Sequence, residues 1–469
     1  MNNISSLLDF LSINREDVQD ITPLTTNDGD TILITLKKKE CICPHCKSDS
    51  YRLKDYKNRE IKHALFLGKK TRFILRSRRY KCNECNKSFT EPNIFAPKRS
   101  RVSYETIRVV LEAVSKYNIT WKEIGEKAHV SDTAAIDIFD RFVNLSRGTL
   151  PRVLSIDECY NKHQFQKPYS CIFFDFLNTK IIDVIEDRSK RNISNYLDKL
   201  TKEERNNVEY VVIDMWEPYL NIASLYFPKA TVAIDSFHVL KEIGFALDKV
   251  RRRVMNGTQK GSKEYYLLKK WNRVLYKDYH IWDEKFKVVG LNNKYYNCYQ
   301  LQQMIVAIND DLRIAYEFYR DYRRRNKVTT YEEASKMLDD FINDKEIINV
   351  EEFIPVLSML NNWKEWIINS FIVVENRRLS NGPIEGFNSN FKKMMTVANG
   401  LYSFLRFRNR LMYCYNKPNI LAPVKETIWK RPRKPRGKYN KKPRNDWISE
   451  QFIELSSPFN FGGFSSIPP

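Results

Sequence analysis

The sequence contains no long apolar run and no export signal, and these two absences exclude several classes of protein. No apolar stretch approaches the roughly 20 residues that a membrane-spanning helix requires. The N-terminus, MNNISSLLDF, has no basic residues ahead of an apolar core, as a secretory signal would have. We therefore expect neither a membrane protein nor a secreted protein.

Acidic residues are also scarce relative to basic ones. The chain has 57 Asp and Glu against 79 Lys and Arg, which gives a formal net charge of +22. A positive field of this size favours a polyanionic partner. Because no membrane segment is evident, we expect that partner to be nucleic acid. With 469 residues, of which 42% are hydrophobic, the chain is large enough for two to four folded domains.

The nine cysteines are an odd number, and four of them form two CxxC pairs. In a chain without an export signal, this spacing indicates a metal site in a reducing compartment rather than disulfides. Each pair can place two thiolates on one tetrahedral Zn²⁺, and the residues between the pairs match a β-hairpin around Gly68. Cys41 and His45 of the first knuckle remain alternative ligands. The pattern predicts a zinc ribbon with a structural Zn²⁺ held by Cys43, Cys46, Cys82 and Cys85.

Basic residues on the second strand of this hairpin have a spacing that suits DNA. Arg72, Arg76 and Arg78 share one face of a β-strand and could contact backbone phosphates. We therefore predict that the ribbon contributes to DNA binding.

The segment ITWKEIGEKAHVSDTAAIDIFDRF has the periodicity of two short helices joined by a turn. Trp121, Ile124 and Ala128 form one apolar stripe, and Ser131 can cap the next helix. The second stripe contains Ala135, Ile136 and Phe139. This pattern predicts a helix-turn-helix.

Short segments rich in β-branched residues begin at about residue 150. RVLSIDEC, YSCIFFDF and KIIDVIED come in succession, whereas helical stretches separate VEYVVIDM and ATVAIDSFH. Three successive strands followed by alternating helices and strands predict an α/β sheet with an antiparallel edge.

Two of these strands end in acidic residues, Asp157 and Asp214. A carboxylate at the end of a buried strand costs several kcal/mol to desolvate unless it is paired or binds a metal. Two divalent ions held by Asp and Glu side chains can promote phosphodiester cleavage. The pattern therefore predicts a Mg²⁺ (or Mn²⁺) site that both aspartates share.

The segment SNGPIEGFNSNFKK supplies the third acid, Glu385. Pro383 suits the first position of a helix, and Ile384, Phe387, Phe391 and Met394 recur at core spacing. Glu385, Asn388, Ser389 and Lys392 fall on the opposite face. We predict Glu385 as the third metal ligand, with Asn388 and Lys392 as secondary site candidates.

These motifs together resemble the ISL3 family of bacterial insertion-sequence transposases. The resemblance rests on SIDEC, on VVIDMWEPYLNIASLYFPKATVAIDSFHVLK and on NGPIEGFNSNFKKMMTVANGLYSFLRFRNRL, preceded by the cysteine ribbon and the helix-turn-helix. It implies an RNase H-like core whose DDE triad is Asp157, Asp214 and Glu385. It further implies cleavage at the ends of a mobile element and strand transfer to target DNA. The expected partners are double-stranded DNA, as terminal inverted repeats and target, and further copies of the chain in a homodimer or larger synaptic complex. The expected location is the bacterial cytoplasm, at the nucleoid.

The expected fold is multidomain α+β: a zinc ribbon and helix-turn-helix, then an RNase H-like core interrupted by a helical insertion. The predicted boundaries are 1–40 for an N-terminal segment, 41–95 for the ribbon, 100–148 for the helix-turn-helix, 150–245 for the first part of the core, 246–370 for the insertion, 371–425 for the last part of the core and 426–469 for a basic disordered tail.

Several assignments stay open at this point. Asp235 also ends a strand and could replace Asp214 as the second ligand, with His238 lining the same site. Arg188 and Lys190 follow the third strand and could meet phosphates, although a solvated charge run would look the same. For the whole protein, a DNA-binding regulator derived from a transposase and a resolvase-like junction nuclease are the alternatives.

Overall fold

The structure is a computed structural model that describes residues 14–26, 29–66, 68–98, 100–160, 165, 167–397 and 403–418. All of these residues belong to one compact unit. The predicted basic tail, residues 426–469, lies outside the described residues. None of the described helices is long and apolar enough to cross a membrane.

The N-terminal sheet contains the predicted cysteine hairpin. Its strands are β1 (Val18–Thr26), β2 (Gly29–Leu36), β3 (Tyr51–Phe66), β4 (Lys69–Cys82) and β5 (Ser88–Thr90). They are ordered β1-β2-β4-β3, with β5 paired to β4, and only β2 and β4 run parallel. The turn between β3 and β4 contains Gly68 at φ +77°, where a side chain would be strained. The predicted hairpin around Gly68 is confirmed, and the strands before Cys41 extend the same sheet.

Three helices follow this sheet: α1 (Tyr104–Val114), α2 (Trp121–Ala128) and α3 (Asp132–Phe142). Ser103, Thr120 and Ser131 cap them, each accepting a hydrogen bond from a backbone N–H of the first turn. Because these caps satisfy N–H groups that the helix itself leaves unpaired, they fix where each helix begins.

The turn between α2 and α3 packs closely on α2. His129 takes the left-handed conformation at φ 56°, and a Cβ on Gly125 would lie only 2.7 Å from the carbonyl oxygen of Val130. Glycine is therefore required for this approach. The predicted stripe of α2 is buried, whereas on α3 Ile138 takes a buried position and Ile136 is only partly covered.

The central sheet has five strands: β6 (Val153–Tyr160), β7 (Tyr169–Asp175), β8 (Lys180–Ile185), β9 (Tyr210–Ile213) and β10 (Thr231–Ile234). Their order is β10-β9-β6-β7-β8. The pairs β6/β7 and β7/β8 are antiparallel, whereas β9 runs parallel to both β6 and β10. This arrangement confirms the predicted α/β sheet with an antiparallel edge. The crossovers contain α4 (Lys190–Leu197), α5 (Lys202–Asn206) and α6 (Glu217–Tyr226).

A largely helical segment follows β10. Its helices are α7 (Ser236–Asn256), α8 (Lys263–Lys270), α9 (Cys298–Val306), α10 (Asp310–Val328), α11 (Tyr331–Ile342), α12 (Ile354–Asn362) and α13 (Lys364–Asn369). Two small antiparallel ladders pair β11 (Phe286–Val288) with β12 (Lys294–Tyr296), and β13 (Val373–Val374) with β14 (Arg377–Arg378). Short 3₁₀ turns occupy Arg15–Asp17, Asn272–Tyr276, Val289–Leu291, Ile347–Asn349 and Glu351–Phe353. The described chain ends with α14 (Gly382–Val397) and α15 (Phe404–Asn416).

The central sheet is covered on both faces. Leu154 and Ile156 of β6 join one core with the helices of the long helical segment. Cys159, from the other face of the same strand, packs in a second core with α1 to α3, α14 and α15. Within this second core the buried Arg410 donates to the carbonyl of Ile119 at 2.6 Å. The last helix is therefore fixed to the three-helix unit as well as to the sheet.

Candidate active site and metal centre

The four cysteines of the two CxxC pairs converge at the end of the ribbon, with all their sulfurs within 4.8 Å of one another. The Sγ atoms of Cys43 and Cys85 are 3.6 Å apart, and those of Cys46 and Cys82 are 3.5 Å apart. Four thiolates at the Zn–S distance of about 2.3 Å would stand about 3.8 Å apart in a tetrahedron. The site therefore fits a structural Zn²⁺. Among the described residues, this cluster does not include Cys41 or His45.

The acidic residues of the central sheet meet because three strands are in register. Ile213 of β9 pairs with Ile156 of β6 on one side and with Ile234 of β10 on the other. The next residue along each strand is Asp214, Asp157 and Asp235, respectively. All three strands run in the same direction, so the three carboxylates lie side by side where β9 and β10 end. The strand β6 continues past Asp157 to Tyr160, so this aspartate lies within its strand and not at the end that the sequence predicted. We call this place the acidic edge.

Asp157 is only 7% exposed and is held by neutral donors. Its Oδ2 accepts from the Asn388 side-chain amide at 2.8 Å, and its Oδ1 accepts from the backbone N–H of Glu158 at 2.6 Å. Burial, together with the charge of Asp214, raises the pKa of Asp157 to about 7 despite these hydrogen bonds. The site therefore disfavours two charged carboxylates unless a cation joins them.

Asp214 and Asp235 are connected through His238. The imidazole Nε2 lies 3.3 Å from an Asp214 oxygen, and Nδ1 lies 3.4 Å from Asp235 Oδ2. Burial disfavours the charged imidazolium, but Asp235 and Asp214 outweigh this effect and raise the pKa of His238. Burial also raises the pKa of Asp214, which His238 only partly opposes. These three side chains form a second group whose ligand atoms lie within 4.8 Å of one another.

Glu385 enters from a distant part of the chain, on the first turn of α14. The predicted core stripe of this helix is fully buried, and Glu385 lies on the exposed face, as predicted. Partial burial and the carboxylates of Asp235 and Asp157 raise its pKa, so Glu385 lies near enough to these acids to interact with them electrostatically. Neither Glu385 nor Asp157 belongs to the group of ligand atoms within 4.8 Å that Asp214, Asp235 and His238 form. On the same face, Asn388 reaches Asp157 and Lys392 is exposed.

Of the basic side chains in the described residues, His238 contacts this group, through Asp214 and Asp235. Within the described part of the chain, no Lys or Arg forms an ion pair with Asp157, Asp214, Asp235 or Glu385. The nearby Arg188 pairs instead with Glu158 and lies over the ring of Tyr169. Carboxylate oxygens that no lysine or arginine occupies are donors that Mg²⁺ and Mn²⁺ prefer. The donor set therefore fits a divalent metal.

Asn381 is a further residue of this site, which the sequence did not single out as a site residue. Its side-chain Nδ2 donates to Asp214 at 2.9 Å, and its backbone N–H donates to Asp235 at 3.1 Å. The residue is buried just before α14, so it joins that helix to the two strands. Its position directly before Gly382 and Pro383 is typical of a residue that caps a helix. Nothing in the sequence indicated its contacts with Asp214 and Asp235.

The predicted phosphate-binding residues have different surroundings. Arg72 and Arg76 are exposed on β4, whereas Arg78 is 7% exposed and paired with Glu91 at 3.1 Å. Arg78 also donates to the carbonyl of Leu36, so neighbouring segments cover this end of the strand and leave no room for a phosphate. The prediction that Arg78 contacts DNA is therefore wrong. Lys190 is exposed at the start of α4.

The zinc assignment predicts a specific pattern of metal content. The protein should carry one zinc per chain, and Cys82→Ser should lose it because three thiolates do not complete the tetrahedron. Cys41→Ser is the matched control, since its thiol donates to the carbonyl of Lys39 and is not part of the four-cysteine cluster, and it should keep the zinc. Zinc in purified variants is measured by atomic emission. Loss of zinc in Cys41→Ser with retention in Cys82→Ser would show that the ligand set is wrong.

The acidic site predicts that Asp157→Asn makes the metal-free protein more stable. A raised folded-state pKa means that the native state binds this proton more tightly than the unfolded state. Stability therefore falls as pH rises from about 4 to 7. Removing the charge should raise the free energy of unfolding at pH 8 by about 1 to 3 kcal/mol.

Asp187→Asn is the matched control for this experiment. Burial opposes ionisation of Asp187, but hydrogen bonds from Ser189 and Asn192 outweigh it and lower its pKa. Its contribution to stability is present above the unfolded-state pKa and is lost as pH falls, so this variant should be less stable at pH 8. Denaturant unfolding without divalent ions measures both variants. Equal destabilisation of the two would contradict the repulsion inferred at Asp157.

Two models of known protein families match this chain, one over the region of the central sheet and one over the ribbon. A model of the DDE transposases of the ISL3 family, described as transposase, matches residues 154–411. Another, described as the zinc-finger of transposase IS204/IS1001/IS1096/IS1165, matches residues 39–85, which contain all four zinc ligands. No curated protein matches the chain. The first match covers more than half of the 469 residues, and the chain therefore belongs to the ISL3 family of transposases.

Proposed function

We propose that this transposase cleaves the ends of an insertion sequence and joins them to target DNA, with Asp157, Asp214 and Glu385 as its catalytic acids. The observation that carries the proposal is the convergence of these acids from two strands and a distant helix, where no described lysine or arginine pairs with them and only Asp214 contacts a histidine, His238. An arrangement that costs folding free energy is understandable if the site serves catalysis.

The order of the central sheet supports an RNase H-like core. Three antiparallel strands, β6 to β8, are followed by two parallel strands added on the other side of β6. The helical segment from α7 to α13 would be the predicted insertion, because it separates Asp214 from Glu385 in sequence while α14 returns to the sheet.

Asp157 and Asp214 would hold Mg²⁺ or Mn²⁺, and Glu385 would complete the site. The bound metal would lower the pKa of the attacking water or 3′ hydroxyl and stabilise the leaving oxygen. The protein's own groups orient the acids. Asn388 fixes Asp157, and Asn381 fixes Asp214 and Asp235. These donors are neutral amides, so they position the carboxylates without removing the negative charge that attracts the cation.

His238 and Asp235 have supporting roles in this proposal. Asp235 is 2% exposed and contacts the backbone before α14, so it positions that helix relative to β10. His238, in the first turn of α7, partly balances the charge of Asp214.

DNA binding would involve the exposed Arg72 and Arg76 of the ribbon, together with Lys190 and the half-exposed Arg188. The pair α2 and α3 would form the helix-turn-helix. Asp140 of α3 is held by Arg406 of α15 at 2.6 Å, which connects this unit to the core. Two element ends must be joined in one event, so we propose a homodimer or larger synaptic complex.

The proposal predicts that Glu385→Gln abolishes cleavage of labelled element-end DNA in Mg²⁺ and leaves binding of that DNA unchanged. Gln keeps the size of the side chain but removes the charge, and we expect a loss of at least about 100-fold in rate. Ser389→Ala, on the same exposed face of α14, is the matched control and should cleave normally. Gel analysis of cleaved and joined products provides the measurement.

Each other outcome selects a different function. Cleavage by Glu385→Gln at the wild-type rate would remove this residue from the chemistry. Binding without cleavage by the wild type and both variants would favour a DNA-binding regulator. Cleavage of branched DNA without joined products would favour a resolvase-like nuclease.

A further inference from the structure

One exposed ridge of α7 alternates aromatic and basic residues. Phe237, Lys241, Phe245 and Lys249 follow one another at intervals of four residues, and all four are exposed. Residues four apart lie on the same side of a helix, so these side chains form a continuous stripe about 18 Å long. The buried residues Val239, Ile243 and Val250 occupy the opposite side of the helix, against the core.

The two phenylalanines of this stripe are each about half exposed to solvent. Phe237 is 52% exposed and Phe245 is 51% exposed. Single exposed apolar residues are common on protein surfaces, but two rings in one row, separated by a lysine, form a patterned surface. The Nζ of Lys241 lies 5.6 Å from the centroid of the Phe245 ring, so charge and aromatic face are presented together.

The lysines of the stripe are available to a ligand. Within the part of the chain that the structure describes, Lys241 and Lys249 form no ion pair. The acid nearest in sequence to Lys249 on this helix, Asp248, is occupied by Arg251 and Arg252. Glu242 is exposed beside Lys241 on this helix, and Glu352, which pairs with Arg253, lies near Lys249. These acids reduce the positive charge of the stripe but form no ion pair with its lysines among the described residues.

The stripe begins at the acidic site. Asp235 precedes the first residue of α7, and the ring of Phe237 lies 5.7 Å from the ring of His238 in an edge-to-face contact. His238 in turn contacts Asp214. A strand lying along the stripe would therefore arrive at the acids over Phe237.

The geometry points to the stripe Phe237-Lys241-Phe245-Lys249 as a binding track for unpaired DNA nucleotides that leads to the acidic site. Lysines would contact phosphates, and the rings would stack on bases, which is how proteins bind single strands without sequence preference. A protein partner fits less well, because lysine is depleted at the centres of protein interfaces. The inference rests on the proposed function, since it assigns part of the DNA to that site.

The test compares binding of two labelled DNAs, a blunt 20-base-pair duplex and the same duplex with a four-nucleotide unpaired tail of either polarity. Fluorescence anisotropy without divalent ions excludes cleavage, and stacking tolerates any sequence, so no knowledge of the element ends is needed. Wild-type protein should bind a tailed DNA more tightly than the blunt one. The double variant Phe237→Ala/Phe245→Ala should lose this preference, roughly fivefold or more in Kd, because each stacked base is worth a factor of this size.

The contribution of the two lysines is measured from the salt dependence of DNA binding. For tailed DNA, Lys241→Ala/Lys249→Ala should reduce the slope of log K against log salt by about 1.4, or about 0.7 for each phosphate contact. The matched controls are Tyr331→Ala, which removes a 43% exposed ring on α11, and Lys336→Ala on the same helix. Both controls should bind like the wild type.

The proposal is overturned if the phenylalanine variant keeps the wild-type preference for tailed DNA. It is also overturned if that variant binds DNA normally but changes the sedimentation coefficient, since the stripe would then be a protein interface. Cleavage of element ends is measured separately. Wild-type cleavage with no effect of the stripe on tailed-DNA binding would reject the track alone, whereas a stripe-dependent preference without any cleavage would reject the proposed function alone.

Discussion

The fold has to hold several carboxylates close together at a site that is largely shielded from water. Asp157, Asp214 and Asp235 stand side by side because Ile156, Ile213 and Ile234 are in register on three strands that run in the same direction. Like charges at this distance oppose folding, and burial increases the effect. The apolar cores on both faces of the sheet must therefore supply the free energy that keeps the edge assembled.

The fourth acidic side chain, Glu385, comes from a distant part of the chain. The region that carries it also holds the other acids in place. Asn388 and Asn381, both from the region of α14, reach back to Asp157 and Asp214 with neutral amide groups. A lysine or arginine in these positions would stabilise the fold more but would neutralise the charge that a divalent cation needs. The same short segment of helix thus brings Glu385 to the sheet edge and orients the strand carboxylates.

Much of this could be predicted from sequence because the signals were local or periodic. The Cys spacing, the β-branched strands and the core stripe of α14 each reflect a constraint that acts within one element, and all three agree with the structure. Predictions that depended on which other segments pack over a helix or strand were less accurate. Arg78 has the same strand parity as Arg72 and Arg76, but Glu91 and Leu36 cover it. On α3, Ile138 rather than Ile136 is fully buried, because α14 and α15 as well as α2 pack around that helix. The contacts of Asn381 join parts of the chain that are 167 residues apart, and no periodicity within one sequence encodes them.

The proposed function requires the acidic edge to bind a divalent metal between Asp157 and Asp214. The most direct measurement is an anomalous difference map from crystals grown with Mn²⁺, in which zinc at the four cysteines serves as an internal standard. We expect a manganese peak about 2.0 to 2.2 Å from carboxylate oxygens of both Asp157 and Asp214. A peak confined to Asp214, Asp235 and His238, or no peak at this edge of the sheet, would contradict it.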